Sequence, residues 1–453
     1  MQIHPHPILP HQGGGQSCKD YSMKEYDIVI IGSGPAGYTA AFEAVKRKMK
    51  TAVIERDLGR LGGVCLGEGC IPLKGLLKFS ETVKDYAAIR DTVMKRVEQI
   101  RAGLASRLRS QGVEVMQGEA RFFSGSEITA GGAPVRARHF IIATGSSPKR
   151  LFDQPNVRTS EIIFSLEKAP GPVLVIGGGV VGCEYASFLN NIGVKADIVE
   201  VMDSLLSGED EEAVRVLARE FRKKGIQVYT GTKVTEISQS GEVVMTGGQE
   251  LRKSYDLIIE ATGRRPNTAG LGLDAAGVSL TDNGFIMVNE SMQTTAGNIY
   301  AAGDCIDTPM LAYTAYKEAE TAVRHCATGE KGGIDYGTMP RLVFSMPQVG
   351  SAGKSEQQAK ERKINYRVYK YFFKALGKAV MEGKDTGFVK LISDEERGTI
   401  AGASAVGDDI ADIMNQLALI VSGSVPMSAI KECMFVHPSY SEIIMEALHY
   451  GKQ

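Results

Sequence analysis

The sequence predicts an α/β protein in which one strand–helix–strand unit occurs twice and is followed by a smaller α+β domain. Tyr26 to Ile31 reads YDIVII, an apolar run typical of a buried parallel strand, and it leads into a glycine-rich turn and a helical pattern. The same arrangement recurs from Val173 to Glu200. The 453 residues suffice for three or four domains at roughly 150 residues each.

The composition is that of an ordinary globular protein. Lys and Arg number 52 and Asp and Glu number 53, so the net charge of −1 argues against partners such as nucleic acid or an anionic membrane. No apolar run reaches the roughly 18 residues that a membrane-spanning helix needs. Residues 1–23 have no apolar core segment and no Arg-rich pattern. They are therefore expected to be a flexible leader, and the protein is expected to be cytoplasmic.

Each copy of the repeat carries three glycines in the pattern G-x-G-x-x-G, with an acidic residue 18 positions after the third glycine. These residues are Gly32, Gly34, Gly37 and Glu55 in the first copy and Gly177, Gly179, Gly182 and Glu200 in the second. The first glycine permits the turn, the second lets the backbone approach a pyrophosphate, and the third lets helix and strand pack closely. Two copies in register predict two Rossmann-like dinucleotide-binding domains. The alternative is glycine-rich turns in an α/β fold that binds no nucleotide.

The acidic residue indicates which nucleotide is bound, because a carboxylate accepts hydrogen bonds from a ribose 2′-hydroxyl and repels a 2′-phosphate. Glu200 therefore favours NAD over NADP. Three more apolar runs end in Thr144-Gly145, in Gly263 and in Gly303-Asp304, and ligands bind at such strand ends in open sheets. Asp304 is a candidate for binding the hydroxyl chain of a cofactor; the alternative is a turn residue.

These patterns divide the chain after its leader. We expect the first dinucleotide-binding domain at 24–150, the second at 151–268, a central domain at 269–337 and a C-terminal domain at 338–453. The C-terminal domain begins with strand-like segments and ends in helices. Its first helix places five apolar residues on one face, namely Ile410, Ile413, Met414, Leu417 and Ile420. This stripe is expected to be core or subunit interface.

Cys65 and Cys70 lie close together in a glycine-rich stretch. Seven cysteines in the whole chain do not form a disulfide scaffold, and no second pair completes a zinc knuckle, so no metal site is expected. A C-x4-C pair at a helix start favours a thiolate, because the helix dipole and Lys74 both stabilise negative charge. The pair is predicted to be redox-active; the alternative is two buried free thiols.

The string GGVCLGEGCIPLK, residues 62–74, is similar to the redox signature of the class I pyridine nucleotide-disulfide oxidoreductases. Five separated motifs follow that family's order between residue 24 and about residue 448. The resemblance implies a flavoprotein enzyme with FAD bound by the first domain and NAD by the second. It also implies that residues 269–337 pack with the FAD domain and that residues 338–453 form the dimerisation domain of a homodimer.

The resemblance also implies roles for individual residues. Those expected at FAD are Gly32, Gly34, Gly37, Glu55, Lys74, Thr144, Gly145, Asp304, Leu311 and Ala312. Those expected at NAD are Gly177, Gly179, Gly182 and Glu200, and Gly263 is a further cofactor-binding residue. Cys65 is the expected exchange thiol, Cys70 the expected thiolate beside the flavin, and Lys74 is expected to pair with Glu184.

The segment from His437 to Glu442, HPSYSE, resembles the closing signature of the family. A dithiol must lose a proton before its sulfur attacks a disulfide, and histidine titrates in a suitable range. Pro438 is expected to start a helix that brings Glu442 back to the ring, where the carboxylate fixes its orientation. The resemblance implies that this base serves the partner subunit; taken alone, the pair is more simply structural.

Within the family, the sequence most resembles the NAD-linked dihydrolipoamide dehydrogenases. It lacks the terminal cysteine pair of mercuric reductases, and Glu200 replaces the basic residues with which glutathione reductases bind NADP. The implied partners are dihydrolipoamide or a lipoyl-bearing protein, and components of a 2-oxoacid dehydrogenase or glycine cleavage complex.

Four residues depart from the family's usual pattern. Gly67 and Glu68 replace Asn-Val between the cysteines, Leu73 replaces a small Ser, and Phe435 stands where a second histidine is common. Glu68 is expected to raise the pKa of both thiols, because it adds negative charge between them. These departures leave open an NADH-dependent disulfide reductase with another substrate. A catalytically silent nucleotide-binding scaffold is the other alternative, against which the retained cysteines, histidine and glutamate argue.

Overall fold

The computed structural model describes residues 23–451, so the leader expected at residues 1–23 lies outside them except for Met23. The elements of the first sheet and its helices are β1 (Lys24–Ile31), α1 (Pro35–Lys46), β2 (Thr51–Glu55), α2 (Gly63–Gly67), α3 (Cys70–Ser80), α4 (Tyr86–Ser110), β3 (Glu114–Gln117), β4 (Ala120–Phe122), β5 (Glu127–Ala130), β6 (Ala133–Ile142) and β7 (Ser146–Pro148). Strands β3-β2-β1-β6 pair in parallel in that order, and β5 and β4 continue the sheet in antiparallel pairing.

The next part of the chain repeats this arrangement. Its elements are β8 (Val157–Thr159), β9 (Val173–Ile176), α5 (Val180–Asn191), β10 (Ala196–Val199), α6 (Glu211–Lys223), β11 (Gln227–Tyr229), β12 (Lys233–Ile237), β13 (Glu242–Gly247), β14 (Gln249–Ser254), β15 (Leu257–Glu260) and β16 (Arg264–Pro266). The parallel sheet has the order β11-β10-β9-β15-β8, in which β11-β10-β9-β15 matches β3-β2-β1-β6 of the first sheet. Strand β16 pairs with β7, so a short two-stranded ladder joins the two halves.

The residues expected to form a central domain extend the first sheet. They contribute β17 (Ile299–Ala301), which pairs in parallel with β6, and α7 (Ala312–Thr328), which packs on α1. Alanines 36, 40 and 44 of α1 are almost fully buried, and such small side chains let the helix lie close to both neighbours. The apolar side chains of these segments form one continuous core.

The last part of the chain is an antiparallel sheet covered by helices. Its elements are β18 (Arg341–Val343), β19 (Gln348–Gly353), α8 (Glu356–Glu361), β20 (Val368–Phe372), α9 (Gly377–Met381), β21 (Phe388–Asp394), β22 (Thr399–Gly407), α10 (Ala411–Ser422), α11 (Met427–Glu432) and α12 (Glu442–Tyr450). The strand order is β18-β19-β22-β21-β20. Within residues 23–451, no helix combines the length and apolar character required to cross a bilayer.

Two central strands of this sheet, β19 and β22, contain few large apolar residues and were not predicted from the sequence. Strand β19 reads QVGSAG and β22 reads TIAGASAVG. The small side chains make room for α10, because a Cβ atom added at Gly350 would lie 2.7 Å from Cγ of Met414. The stripe predicted on α10 is therefore core: Ile413, Met414 and Leu417 are buried against the sheet.

A buried ion cluster fastens the C-terminal sheet to the second dinucleotide unit. Lys390 on β21 is 3% exposed, and its Nζ lies 2.8 Å from Asp210 and 2.5 Å from Glu212. Asp210 also caps α6 by accepting hydrogen bonds from the N–H groups of Glu212 and Ala213. Burial alone lowers the pKa of a lysine, but these carboxylates outweigh burial and raise the pKa of Lys390.

Replacement of Lys390 by methionine is expected to cost about 3–5 kcal/mol of stability, because it leaves Asp210 buried without its cation. The control is Lys384→Met, since Lys384 pairs with Asp409 at the surface, and its loss is expected to cost less than about 1 kcal/mol. Urea unfolding of both variants, followed by circular dichroism, measures the difference. An equal loss of unfolding free energy in the two variants would contradict a stabilising role for the buried cluster.

Candidate functional site

A cavity of about 1400 Å³ lies at the carboxyl ends of the first sheet's strands and reaches the second dinucleotide unit. It is lined by residues that are far apart in sequence. Of the predicted site residues, the cavity includes Gly32, Gly34, Glu55, Cys65, Cys70, Lys74, Thr144, Gly145, Glu184, Asp304, Leu311 and Ala312. The others, Gly37, Gly177, Gly179, Gly182, Glu200, Gly263, His437 and Glu442, lie outside its lining.

The first and third glycines of each motif are required by close backbone approach. Gly32 has φ +102°, and a Cβ added there would lie 2.3 Å from the carbonyl oxygen of Ala143; Gly177 is its counterpart, at φ +111°. A Cβ at Gly37 or Gly182 would lie 2.0 Å or 1.9 Å from the carbonyl oxygen of the first glycine of its own motif. Any side chain at these positions would force helix and strand apart.

The second glycine of each motif faces open space. An added Cβ would meet nothing within 4 Å at Gly179 and only Gly63, at 3.9 Å, at Gly34. Gly34 and Gly179 are the N-caps of α1 and α5, where free N–H groups and the helix dipole attract negative charge. This chain therefore offers two cradles that fit the pyrophosphates of dinucleotides.

The acid of each motif is held by equivalent backbone groups. Glu55 accepts hydrogen bonds from the N–H of Ser33 at 3.1 Å and of Asp57 at 3.2 Å. Glu200 accepts them from the N–H of Gly178 at 2.6 Å and of Met202 at 2.8 Å. These bonds fix both carboxylates at the ends of β2 and β10, with lone pairs left to accept from a ribose hydroxyl.

Asp304 belongs to a polar cluster within the cavity. Its Oδ2 accepts a hydrogen bond from Ser146 Oγ at 2.7 Å and lies 3.8 Å from Nε of Arg264. The Arg264 Nε in turn donates to Ser146 Oγ at 2.6 Å. Sequence reasoning missed Ser146 and Arg264; the only signal was their position directly after Gly145 and Gly263.

Cys65 lies in α2 and Cys70 is the first residue of α3, so the two sulfurs meet across the turn at Glu68 and Gly69. The Cys65 thiol donates a hydrogen bond to the Cys70 sulfur, which lowers the pKa of Cys70 to about 7 and raises that of Cys65. Desolvation raises the pKa of Cys70 and so opposes this effect, whereas the positive charge of Lys74 lowers the pKa further. In the reduced pair, the thiolate is therefore favoured at Cys70 over Cys65.

Lys74 and Glu184 form an ion pair at the wall of the cavity. Their Nζ and Oε2 atoms are 2.7 Å apart, and the Glu184 side chain is 1% exposed. The other carboxylate oxygen accepts the N–H of Phe344 at 2.9 Å, and Lys74 lies over the Phe344 ring. The resemblance implies this pair, which joins the redox helix α3 to helix α5 of the second unit.

The two partners have opposite effects on Cys70, because Lys74 lowers its pKa and Glu184 raises it. Lys74→Met is therefore expected to raise this pKa, so that less thiolate is present at pH 7, and Glu184→Gln is expected to lower it. Shifts of about one pH unit are expected. Thiolate absorbance of the reduced protein against pH measures them, with Lys78→Met on the exposed side of α3 as the control. Shifts of the same sign would contradict this assignment.

The expectation for Glu68 is not supported by its geometry. Its carboxylate pairs with Arg60, which neutralises the charge that was expected to act on the thiols. The acids that raise the pKa of Cys70 are Glu184 and Asp304. Gly67 lies against α4, where an added Cβ would be 3.3 Å from Nη2 of Arg101. Leu73 is 3% exposed and belongs to the core between the first two units.

His437 and Glu442 are joined as the sequence suggests, but by a different route. His437 Nδ1 lies 2.8 Å from Glu442 Oε1, and Glu442 Oε2 accepts the N–H of Ser439 at 2.7 Å. Helix α12 begins at Glu442, so the expectation that Pro438 starts the helix is wrong, and a turn brings the carboxylate back. Although desolvation opposes it, the bonds from His437 and Ser439 lower the pKa of Glu442.

His437 lies away from the cysteines of its own chain. Its side chain is 80% exposed, and it does not line the cavity that holds Cys65 and Cys70. Phe435, the departure from the family's pattern, is half-buried against the C-terminal core, between the exposed side chains of Met434 and Val436. The imidazole therefore presents its free nitrogen, Nε2, to the surroundings of the chain.

Family models cover almost the entire described chain. The model described as pyridine nucleotide-disulphide oxidoreductase matches residues 26–319, and that of the family's dimerisation domain matches residues 339–448. The chain is 35% identical over 454 residues to a dihydrolipoyl dehydrogenase of Thermus scotoductus, covering 94% of this chain and 97% of the relative. It is 33% identical over 446 residues to a dihydrolipoyl dehydrogenase of Chlamydia pneumoniae, covering 93% and 96%.

Solved structures share the fold. The HOCl-induced flavoprotein disulfide reductase RclA from Escherichia coli has a TM-score of 0.88 at 27% identity, covering 94% of this chain and 100% of that chain. LpdA from Mycobacterium tuberculosis has a TM-score of 0.86 at 25% identity, covering 94% and 99%. Together with the two nucleotide cradles and the cysteine pair, these matches show that the chain belongs to the pyridine nucleotide-disulphide oxidoreductase family of FAD-dependent enzymes with a redox-active disulfide.

Proposed function

We propose that this enzyme oxidises dihydrolipoamide, free or carried on a protein, with NAD as the electron acceptor. The observation that carries the proposal furthest is the His437–Glu442 pair, because a dithiol must lose a proton before it attacks a disulfide. Relatives at 33% and 35% identity bear the name dihydrolipoyl dehydrogenase. Glu200 supports NAD, since its fixed carboxylate would repel the 2′-phosphate of NADP.

The proposed reaction begins at the cysteine disulfide. The Nε2 atom of His437 takes the proton of one substrate thiol, while Glu442 holds the ring and stabilises the imidazolium. The substrate thiolate attacks Cys65, the Cys65–Cys70 bond breaks, and its electron pair stays on Cys70. The second substrate thiol then attacks the substrate sulfur bonded to Cys65, and its proton passes to Cys65 once that sulfur has left. The oxidised ring is released, and Cys65 is left as a thiol and Cys70 as a thiolate.

Lys74 and Glu184 control the charge beside Cys70 during this sequence. Lys74 and the hydrogen bond from Cys65 stabilise the thiolate that forms when the disulfide opens. When bound, FAD would supply the two-electron chemistry that connects the cysteine pair to the nicotinamide nucleotide. We expect the glycine cradle at Gly34 and the carboxylates of Glu55 and Asp304 to bind it, with Thr144, Gly145, Leu311 and Ala312 around it.

We further propose that the enzyme is a cytoplasmic homodimer in which His437 serves the cysteines of the partner subunit. A base that is 80% exposed and outside its own cavity needs a second subunit to reach a disulfide. Exposed apolar side chains of the C-terminal part, including Met381, Leu419 and Met434, could form such an interface and be buried by the partner subunit. Sedimentation of the holoenzyme should give twice the chain mass of 48.8 kDa.

Steady-state kinetics of the FAD-loaded enzyme test the proposed substrates. Dihydrolipoamide with NAD should yield NADH, with NADP at least tenfold less effective at equal concentration, since tenfold corresponds to about 1.4 kcal/mol. A lipoyl domain of a 2-oxoacid dehydrogenase or glycine cleavage complex should also be oxidised. Absence of NADH formation with any dithiol would refute the proposal.

The second candidate is an NADH-dependent reductase of another disulfide. Its support is the likeness to RclA, whose description is a flavoprotein disulfide reductase, together with the altered loop at Gly67 and Glu68. The two candidates differ in the favoured direction. A kcat/KM for some disulfide with NADH that exceeds the value for dihydrolipoamide with NAD would favour the reductase. A purified protein that binds no flavin would instead indicate a silent scaffold.

A further inference from the structure

Two tyrosines form a hydroxyl pair between helices α1 and α7. Tyr38 on α1 and Tyr316 on α7 place their hydroxyl oxygens 2.8 Å apart, with ring centroids 6.0 Å apart and ring planes at 46°. Both side chains are half-buried. Within residues 23–451, each hydroxyl has the other as its one hydrogen-bond partner. Sequence reasoning did not find this pair, because its members are 278 residues apart.

The backbone brings the pair to the cysteine loop. Tyr38 lies one turn into α1, where its N–H donates to the carbonyl oxygen of Gly34 at 3.0 Å. Gly34 touches the start of α2, because a Cβ added at Gly63 would lie 2.8 Å from Cα of Gly34. Cys65 is two residues farther along α2. The first turn of α1 and the turn that carries the exchange thiol are therefore in direct contact.

Both tyrosines respond electrostatically to the two sulfurs. Burial has the largest effect on the pKa of Tyr38 and raises it; negative charge on Cys65 and on Cys70 raises it further. The same two sulfurs raise the pKa of Tyr316, again after burial. Both phenols therefore stay protonated in the neutral range, and each is close enough to feel charge on the cysteine pair.

The pair holds one proton that its own hydrogen bond does not use. Two phenol hydroxyls carry two protons, and the bond between them occupies one. The second proton is therefore free to be donated to an acceptor outside the pair. A sulfur that gains negative charge during the reaction is such an acceptor, and charge-assisted hydrogen bonds are the stronger kind.

We propose that the Tyr38–Tyr316 pair is a positioning element that donates its unused phenol hydrogen bond to Cys65 when that sulfur leaves as a thiolate. The inference rests on the proposed function, in which the second substrate thiol attacks the mixed disulfide. A sulfur–sulfur bond then forms within the substrate, the bond to Cys65 breaks, and its electron pair remains on Cys65. The phenol proton stays on its oxygen throughout.

Cys65 needs this donor because its surroundings disfavour its anion. The hydrogen bond with Cys70 and burial raise the pKa of the Cys65 thiol, and Asp304 raises it further; Lys74 is the cation that opposes them. A thiol of higher pKa is a poorer leaving group in thiol–disulfide exchange. A neutral donor lowers this barrier without adding a cation beside Cys70.

The test isolates Cys65 in the FAD-loaded Cys70→Ser enzyme and follows its alkylation by iodoacetamide against pH, by mass spectrometry of the peptide that contains Cys65. Tyr316→Phe and Tyr38→Phe are each expected to move the midpoint upward by about one pH unit, the equivalent of one charge-assisted hydrogen bond. Tyr26→Phe is the matched control, since its hydroxyl bonds to Glu114 on β3. Its midpoint is expected to stay unchanged.

The same tyrosine substitutions with Cys70 intact are expected to reduce kcat for dihydrolipoamide about tenfold while FAD stays bound. Unchanged midpoints in both tyrosine variants would overturn the inference and leave the proposed function standing. Shifted midpoints in an enzyme that turns over no dihydrolipoamide would refute the proposed function and retain the inference. A double variant that shifts the midpoint no farther than either single variant would support action as a unit.

Discussion

Cys70→Ser is expected to reduce dithiol oxidation by a factor of about 10³ or more, because it removes one of the two sulfurs that carry the electron pair. The long-wavelength absorbance that a thiolate produces beside a flavin is expected to disappear from the reduced enzyme as well. Cys65→Ser is expected to abolish turnover equally but to keep this absorbance. The two variants differ because the hydrogen bond and Lys74 favour the thiolate at Cys70 and not at Cys65.

Cys433→Ser provides the control, since Cys433 is exposed and outside the cavity. Its turnover and its absorbance spectrum are expected to match those of the unmodified enzyme. Anaerobic titration with dihydrolipoamide, followed by visible absorbance, measures all three variants. Persistence of the long-wavelength band in Cys70→Ser would show that the assignment of Cys70 is wrong.

His437→Gln is expected to lower dihydrolipoamide oxidation by about 10²–10⁴, which is the usual contribution of a positioned general base. The glutamine keeps the size of the side chain but cannot take the substrate's proton. FAD content is expected to stay unchanged because the imidazole is outside the cavity of its own chain. Stopped-flow reduction by dihydrolipoamide measures the affected step directly.

Glu442→Gln is expected to have a smaller effect, about tenfold, because the amide oxygen can still accept the imidazole N–H. It removes the charge that stabilises the imidazolium, so the acid limb of the pH–rate profile is expected to move to lower pH. In the unmodified enzyme, the lowered pKa of Glu442 keeps it ionised above pH 4.5. Its contribution to stability is therefore present above that pH and is lost as the pH falls through the lower folded value. A His437→Gln enzyme with normal kcat would contradict the role of both residues.

Much of the fold follows from local sequence. The two glycine motifs predict parallel sheets with helices behind them, and four parallel strands of each sheet follow the same order. The glycine motifs could be predicted from the sequence because local backbone geometry requires glycine at these positions. Gly32 has a positive φ, and Gly37 contacts the backbone of Gly32. Strands β19 and β22 could not be predicted from the sequence, because their small residues are required by the packing of helix α10 and do not form an apolar strand pattern.

The sequence by itself determined the inventory of this protein: two dinucleotide-binding units, a C-x4-C pair and a histidine–glutamate pair, each encoded by neighbours in the chain. The tertiary structure decided how charge is distributed around them. It pairs Glu68 with Arg60 and Glu184 with Lys74, and it brings the hydroxyl groups of Tyr38 and Tyr316 into contact. The physical reason is that the pKa of a thiol depends on burial and on charges within a few ångströms, and those neighbours come from distant segments that only folding brings together.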